Sequence, residues 1–562
     1  MNNELLTPYE TGNKNQTTGW EECIRFYKNL EALYPTVLRF FEIGRSDTGM
    51  PIHAGVVTSD GVLDFDELKR NFRPVFFNNN GIHPGEPEGI DVCMALVRDF
   101  CINDELRKSL RNLVFLFIPI YNVDGCLNRN QSSRVNQLGP EIHGFRGNGL
   151  HLDLNRDFIK CDSLSAQVFN KFFSAWDPDL MVDTHTSNGA DYSYTMTVIQ
   201  TQADKLGGDF APFIRETLLP EIAQRMEQRG WPFCPYVNPV SETPDDGIED
   251  FLETARFSTG YAALNYCIGF MPETHMLKPY ADRYESMRAF VQEMVEFTAG
   301  YSVQIQAMRL LAREKNQSKK SWPVKWKVDR SKVSTFNFKG YAAVYRPSVL
   351  GNYMRLSYDR NQPWQKEINY YDNFVPEVEV TAPKFYVVPQ EWREIIQRLE
   401  WNCVQMERVK ETRQQVLQTY HIKDVKTRST PYEGHMFHDE VELEICSETV
   451  TVRAGDYLVP MKQEKARYVI ETLEPQAHDS FFRWGFFNSV LEKKEAFSNY
   501  VFEDTAVELL EAEPDLRKQF ETWKAENPQL LADQQAVLDF IFTRCKRFNE
   551  PEWRRYPIFR IV

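Results

Sequence analysis

The sequence predicts an α/β domain over residues 1 to about 310, followed by a mixed α+β accessory region over 322–562. Short apolar runs alternate with amphipathic helical stretches in the first part. Residue types able to do chemistry gather where those runs end, which is where open α/β sheets carry their sites. A charged stretch, Arg313-Glu-Lys-Asn-Gln-Ser-Lys-Lys-Ser321, separates this part from one richer in aromatic and β-branched residues. At 562 residues the chain exceeds what one core usually holds, so two or three domains are expected.

Taken in order, residues 20–35 read as an amphipathic helix ended by Pro35, and 36–57 as two strands around Ser46-Asp-Thr-Gly49. Arg73-Pro-Val-Phe-Phe-Asn-Asn-Asn80 reads as a buried strand reaching a polar loop. Ile90, Met94, Val97 and Phe100 then stand at helical spacing. The run 113–121 is almost unbroken apolar, as in a strand covered on both faces. The polar stretch 122–149 reads as a loop, and loops that long in folded domains are functional or disordered. Helices fit 162–175, 209–229 and 282–311, with strands at 180–183 and 266–271. Beyond the boundary, 322–388 reads mostly as strands and 390–418 as a helix. Residues 441–460 read as a strand pair around Arg453-Ala-Gly-Asp456, and 504–547 as mostly helix. Trp364, Trp392 and Trp484 are expected in the core, and no repeat of fixed period is present.

Composition narrows the function. A net charge of −15 argues against a nucleic-acid backbone as main partner. No apolar run approaches the length of a membrane span. The N-terminus lacks the basic-then-apolar order of an export signal. The ten cysteines are scattered without a Cys-x-x-Cys pair, which suggests reduced thiols. Together these lean toward a cytoplasmic location and leave compartment and oligomeric state open.

The chemistry centres on Gly81-Ile-His-Pro-Gly-Glu-Pro-Glu88. His83 and Glu86 can point an imidazole and a carboxylate at one ion, and zinc accepts both. With 10 His and 80 acidic residues, chance supplies about one such spacing, and His421-Ile-Lys-Asp424 is a rival. What lifts the first pair is its company. Pro119-Ile-Tyr-Asn-Val-Asp-Gly125, Asp153-Leu-Asn-Arg156, His185 at one strand end and Pro272-Glu273 at another follow in that order.

These motifs, over roughly residues 20–300, resemble the zinc carboxypeptidase family of carboxypeptidases A and B, in the form of a bacterial-type member with a C-terminal extension. The resemblance implies a mixed twisted sheet flanked by helices, and hydrolysis that releases C-terminal residues from peptides or proteins with a free C-terminus. It implies one zinc per chain on His83, Glu86 and His185, with a fourth position for water. Asp153 would take the other ring N–H of His83, and Glu273 would be the general base. Asn155 and Arg156 would hold the substrate carboxylate. Arg134 would polarise the scissile carbonyl, with Arg129 and Arg146 in the same loop as alternatives.

Two departures from the family stand out. Its mobile tyrosine has only Tyr261 and Tyr266 as candidates, at spacings that fit neither well. Arg256, Phe257 and Ser258 fall near the expected specificity pocket, where an arginine would favour acidic side chains. A cell-wall peptide hydrolase or amide deacylase would share the metal set, and a binding protein would keep the fold without activity. Gly434-His-Met-Phe-His438-Asp-Glu reads as a solvated loop.

Overall fold

The computed structural model describes residues 5–548 and 550–562. Among them, nine strands form the main sheet: β1 (Leu38–Arg45), β2 (Pro51–Val57), β3 (Val75–Asn79), β4 (Val114–Ile118), β5 (Leu180–Asp183), β6 (His185–Ser187), β7 (Met196–Gln200) and β8 (Phe233–Pro235), then, after the two-residue β9 (Ile248–Glu249) outside it, β10 (Ile268–His275). The spatial order is β1-β2-β4-β3-β5-β10-β7-β8, with β6 also on β10. Neighbours β4, β3, β5 and β10 run parallel, whereas β1 runs against β2, β2 against β4 and β7 against β10, with β8 parallel to β7. The sheet is therefore mixed, and its central parallel strands all end on one side.

Local chemistry explains these elements. β3 and β4 are buried at every position, as their unbroken runs require of strands covered by helices on both faces. The helix Glu88–Ile102 is buried nearly all round, which fits its lack of a polar stripe. It lies so close to the sheet that a Cβ on Gly89 would fall 1.9 Å from Thr184 Oγ1, so only glycine allows the approach. A long helix, Tyr280–Asn316, closes this part of the chain where the charged stretch begins. No helix among the described residues is long and apolar enough to cross a membrane.

The remainder is rich in sheet. β11 (Ser321–Val328) pairs with β14 (Phe374–Thr381), and β12 (Ser334–Pro347) with β13 (Met354–Tyr371) in a long hairpin that also takes β9. Six more strands form a second sheet: β15 (Phe385–Val388), β16 (Glu407–Arg408), β17 (Arg413–Thr427), β18 (His438–Val452), β19 (Tyr457–Pro460) and β20 (Phe559–Ile561). Helices Asn499–Ala512, Pro514–Glu526 and Gln534–Arg544 build a small core of their own. A single larger core extends from Leu5 through the main sheet to Trp484 and Ile558, so apolar packing runs across the charged boundary.

Two expectations for this region fail. The helix expected over 390–418 stops at Trp401, and 413–418 belong to β17. Arg, Gln and Leu favour a helix there, but pairing along the whole of β18 buries Leu417, Thr419 and Tyr420 and overrides that preference. The two strands around Arg453–Asp456 form, yet they do not pair with each other. β18 pairs with β17, and β19 with β15 and β16.

Candidate metal centre and substrate cleft

The candidate ligands converge because the strand ends converge. β3 delivers Asn78, Asn79 and Asn80 into the turn that carries His83 and Glu86. β5 ends at Asp183, and its continuation β6 starts at His185. In the parallel register of β10 on β6, Glu273 lies directly beside His185. A short 3₁₀ turn, Leu154–Arg156, capped by the Asp153 carboxylate on Asn155 N–H, brings Asn155 and Arg156 to the same place.

Each imidazole is held through Nε2 and turns Nδ1 toward Glu86. His83 Nε2 lies 2.8 Å from Asp153 Oδ1, and His185 Nε2 lies 2.9 Å from Asp183 Oδ2. Asn79 Nδ2 donates to the second Asp183 oxygen at 2.9 Å, so the carboxylate cannot swing away. Two Nδ1 atoms therefore face Glu86, at 3.4 Å from Oε1 for His83 and 3.2 Å from Oε2 for His185. Ligands at zinc's usual bond lengths of 2.0–2.2 Å stand about 3.3 Å apart around a tetrahedral ion. His83 Nδ1 is moreover buried without a hydrogen-bond partner, which is costly unless something fills the space before it. The donor types, their spacing and this orphaned nitrogen all fit zinc.

Charges around the cluster favour an ionised Glu86. Burial works against the Glu86 carboxylate, but Arg134 and the His83 and His185 rings hold its pKa well below the ordinary value. Thr186 N–H donates to Glu86 Oε2 at 2.8 Å and fixes its plane. The Asp153 carboxyl is likewise held down against burial, by His83 and Arg146. Glu273 behaves oppositely. Only 9% exposed, it is pushed up to about 7, chiefly by burial and further by the Glu86 charge, with His185 opposing. A carboxyl poised near neutrality beside a ligand cluster has the property a general base needs.

Arg134 and Arg146 both reach Glu86, and they differ in exposure. Arg134 donates from Nε to Gln137, from Nη1 to Glu86 at 2.8 Å and from Nη2 to the Thr186 carbonyl at 2.8 Å. Every nitrogen of the guanidinium expected to polarise a carbonyl is thus occupied by protein. Arg146 holds Asp153 Oδ2 from both Nε and Nη2 at 2.9 Å and Glu86 Oε1 from Nη1 at 3.3 Å, so its nitrogens are engaged too, but its side chain is 42% exposed against 15% for Arg134. Arg129 is elsewhere, tied to the carbonyls of Thr17, Thr18 and Ile142.

A cleft of about 330 Å³ opens over the ligands. His83, Glu86, His185, Glu273, both arginines, Asn155 and Arg156 line its polar part, and Ile199, Phe251, Phe257 and Met271 its apolar part. Tyr236 also lines it, and sequence reasoning missed this residue. It follows β8 at the sheet edge, with no local pattern to mark it. Burial, with Glu273 and Glu86 behind it, pushes its hydroxyl pKa up, so it stays a proton donor. The expected tyrosines lie away from the cleft. Tyr261 is buried with its hydroxyl on Asn402, and Tyr266 receives a hydrogen bond from Asn316. Asp183 was also missed, because an aspartate ending an apolar strand has no distinctive spacing.

Arg256 does not line the cleft. Its Nε donates to Asp479 at 2.7 Å, and its guanidinium is covered by the rings of Tyr432, Phe437 and Trp484. It therefore cannot serve as a free cation for acidic side chains. The stretch 434–440 is not a solvated loop either. His435 lies 2.7 Å from Asp162, and His438 is buried against Asn488 and Thr427. The rival His421 pairs with Glu448 at 2.7 Å, at a half-exposed position with Cys446 nearby.

Two carboxylate-tethered histidines, a glutamate facing both and a shielded carboxyl poised near neutrality at the ends of parallel strands have the make-up of a metal-dependent hydrolase site. Residues 23–198 match the model of the zinc carboxypeptidase family. Through this segment the chain resembles that family, and the carboxypeptidases it matches support a metallocarboxypeptidase hydrolase. Among curated relatives, carboxypeptidase 2 of Trichophyton tonsurans is 22% identical over 427 residues, 72% of each chain. Mouse carboxypeptidase A6 is 27% identical over 109 residues, 19% of this chain and 23% of its own. Among solved structures, a metallo-carboxypeptidase from Burkholderia cenocepacia is 14% identical with a TM-score of 0.37, covering 51% of this chain and 69% of its own. Carboxypeptidase A from Helicoverpa armigera is 13% identical with a TM-score of 0.38, covering 51% and 74%.

Proposed function

We propose that the protein takes one zinc ion on His83, Glu86 and His185 and releases apolar C-terminal residues from peptides. The observation that carries this is the paired tethering of His83 and His185, which turns both Nδ1 atoms onto Glu86 and leaves one of them orphaned. When bound, zinc supplies Lewis acidity and lowers the pKa of water at the site.

The chain's own groups supply the rest. Arg156 and Asn155 receive the substrate's α-carboxylate, the guanidinium offering paired donors. Glu273 accepts the proton of the attacking water and returns it to the leaving amine, for which a pKa near the working pH is suited. Arg146, the more exposed of the two guanidinium groups, stabilises the developing oxyanion, and Arg134 orients Glu86. Arg146→Ala is therefore expected to lower kcat by about 100- to 1,000-fold with zinc retained, and Arg134→Ala to weaken zinc binding. Tyr236 is positioned to donate to the departing amine or the carbonyl.

Side-chain preference follows from the wall of the cleft. Ile199, Phe251, Phe257 and Met271 present apolar surface, and Arg256 is neutralised by Asp479. Digestion of a mixed peptide library followed by mass spectrometry tests the reading. Loss of single C-terminal Phe, Leu, Met or Tyr residues is expected, with Asp and Glu ends resistant. Internal cleavage, or equal release of acidic ends, would overturn it. Elemental analysis should give about one zinc per chain.

A further inference from the structure

A tight turn from the C-terminal region reaches the substrate cleft. Tyr432 and His435 exchange backbone hydrogen bonds, N to O at 2.8 Å in one direction and 3.0 Å in the other. Between them Glu433 and Gly434 have φ of 49° and 82°. Two consecutive left-handed residues between a paired Tyr and His make a type I′ turn, which places Glu433 in a conformation that non-glycine residues seldom adopt. Such strain persists where surroundings hold it, and here they do.

Three successive side chains of the turn attach to the segment that carries the candidate substrate and metal groups. The Tyr432 hydroxyl accepts from Arg156 Nε at 3.1 Å. The Glu433 carboxylate accepts from Asp153 N–H at 2.8 Å, and Asp153 is the tether of His83. His435 Nε2 lies 2.7 Å from Asp162. The Tyr432 ring is itself stacked on the buried Trp484, so its hydroxyl has a defined position.

Arg156 has few other restraints. Nη1 donates to the Asn155 carbonyl at 2.9 Å, and the flat face lies 4.3 Å from the Phe257 ring. Among the described residues, Tyr432 is the side chain that fixes the Nε end, and Nη2 has no protein acceptor. With Nε and one Nη1 proton engaged, the Nη2 edge is presented to the cleft that Arg156 lines.

We propose that Tyr432 is a positioning residue for substrate recognition: the 432–435 turn completes the carboxylate-binding site by setting the orientation of Arg156. This rests on the carboxypeptidase reading above. It also gives the C-terminal region a defined task in the reaction, because the main sheet alone leaves Arg156 without a partner at Nε.

The test uses the full-length protein with N-benzoylglycyl-L-phenylalanine and its C-terminal amide. Tyr432→Phe removes one hydroxyl and keeps the ring packing. It should raise KM for the acid about five- to tenfold, as expected for losing one hydrogen bond of ordinary net strength that orients the cation without touching the substrate. Its kcat should stay within about twofold and its zinc content and Tm should stay those of the parent. Glu433→Ala, which loosens the turn, should raise KM in the same way, and Glu433→Gln, which keeps an acceptor for Asp153 N–H, should restore it. A Tyr432→Phe variant with KM within twofold of the parent, or with kcat and KM moved by general destabilisation and a lowered Tm, would overturn the proposal. Should the parent fail to cleave this peptide, calorimetric binding of the acid and the amide decides separately. A preference for the acid that Tyr432→Phe abolishes supports the positioning role, and a parent without that preference refutes it.

Discussion

Asp183 offers the sharpest test of how this centre is built. Its Oδ2 faces His185 Nε2 at 2.9 Å, and Oδ1 accepts from Asn79 at 2.9 Å, all three groups being buried. The carboxylate can only accept, so it selects the tautomer with the proton on Nε2 and the lone pair on Nδ1, facing Glu86. Asp183→Asn is nearly isosteric. With its amide oxygen still bonded to Asn79, it turns an NH₂ toward Nε2 and so favours the opposite tautomer, which has no lone pair at Nδ1. A hydrogen bond to a charged group contributes about 1.5–3 kcal/mol, or roughly 10- to 150-fold in an equilibrium constant. Zinc affinity should fall by that factor, measured by competition with a chromophoric chelator at fixed pH. Thermal melting of the metal-free variant shows whether its fold is intact. A folded variant with a zinc dissociation constant within threefold of the parent would refute the assignment of Asp183 as the tether that orients His185.

Three further outcomes follow from the same geometry. Glu273→Gln should keep about one zinc per chain while kcat falls by about 100- to 10,000-fold, read by steady-state kinetics alongside elemental analysis. Glu253 is buried with Oε2 unpartnered, and burial pushes its pKa up to about 8. The folded state therefore binds its proton more tightly than the unfolded chain, whose value is near 4.3. Its favourable contribution is full below that value and is lost as pH rises through about 8, so Glu253→Gln should flatten the parent's decline in Tm between pH 5 and 8.5. Truncation after residue 320 exposes the face of the shared core that residues such as Trp322, Tyr468 and Trp484 cover. The shortened chain should lose its cooperative thermal transition by circular dichroism, and a stable, zinc-binding fragment would show that the main sheet folds alone.

Sequence and structure divide the information unevenly. Strands β3, β4 and β5 and the helix after His83 were legible because covered strands and helices leave apolar runs whose length and period are local properties. The convergence of the candidate site was legible because His83 and Glu86 share one turn, and because His185 and Glu273 each sit at the end of such a run. The reach of β17 was not, since a long hairpin partner decided it against local helix preference.

What the sequence by itself determined is the donor set and the strands that end beside it, because chemistry type and periodicity are written residue by residue. Asp183 as the second tether, Tyr236 in the cleft, the locked Arg256 and the turn under Arg156 were decided only by tertiary structure. Each depends on which distant segment arrives at a given point: Asn79 against Asp183, the edge strand β8 against β7, and Asp479 and Tyr432 against a domain more than 150 residues earlier in the chain. Hydrogen bonds and ion pairs act over a few ångströms of space whatever the separation along the chain, so no local pattern records them.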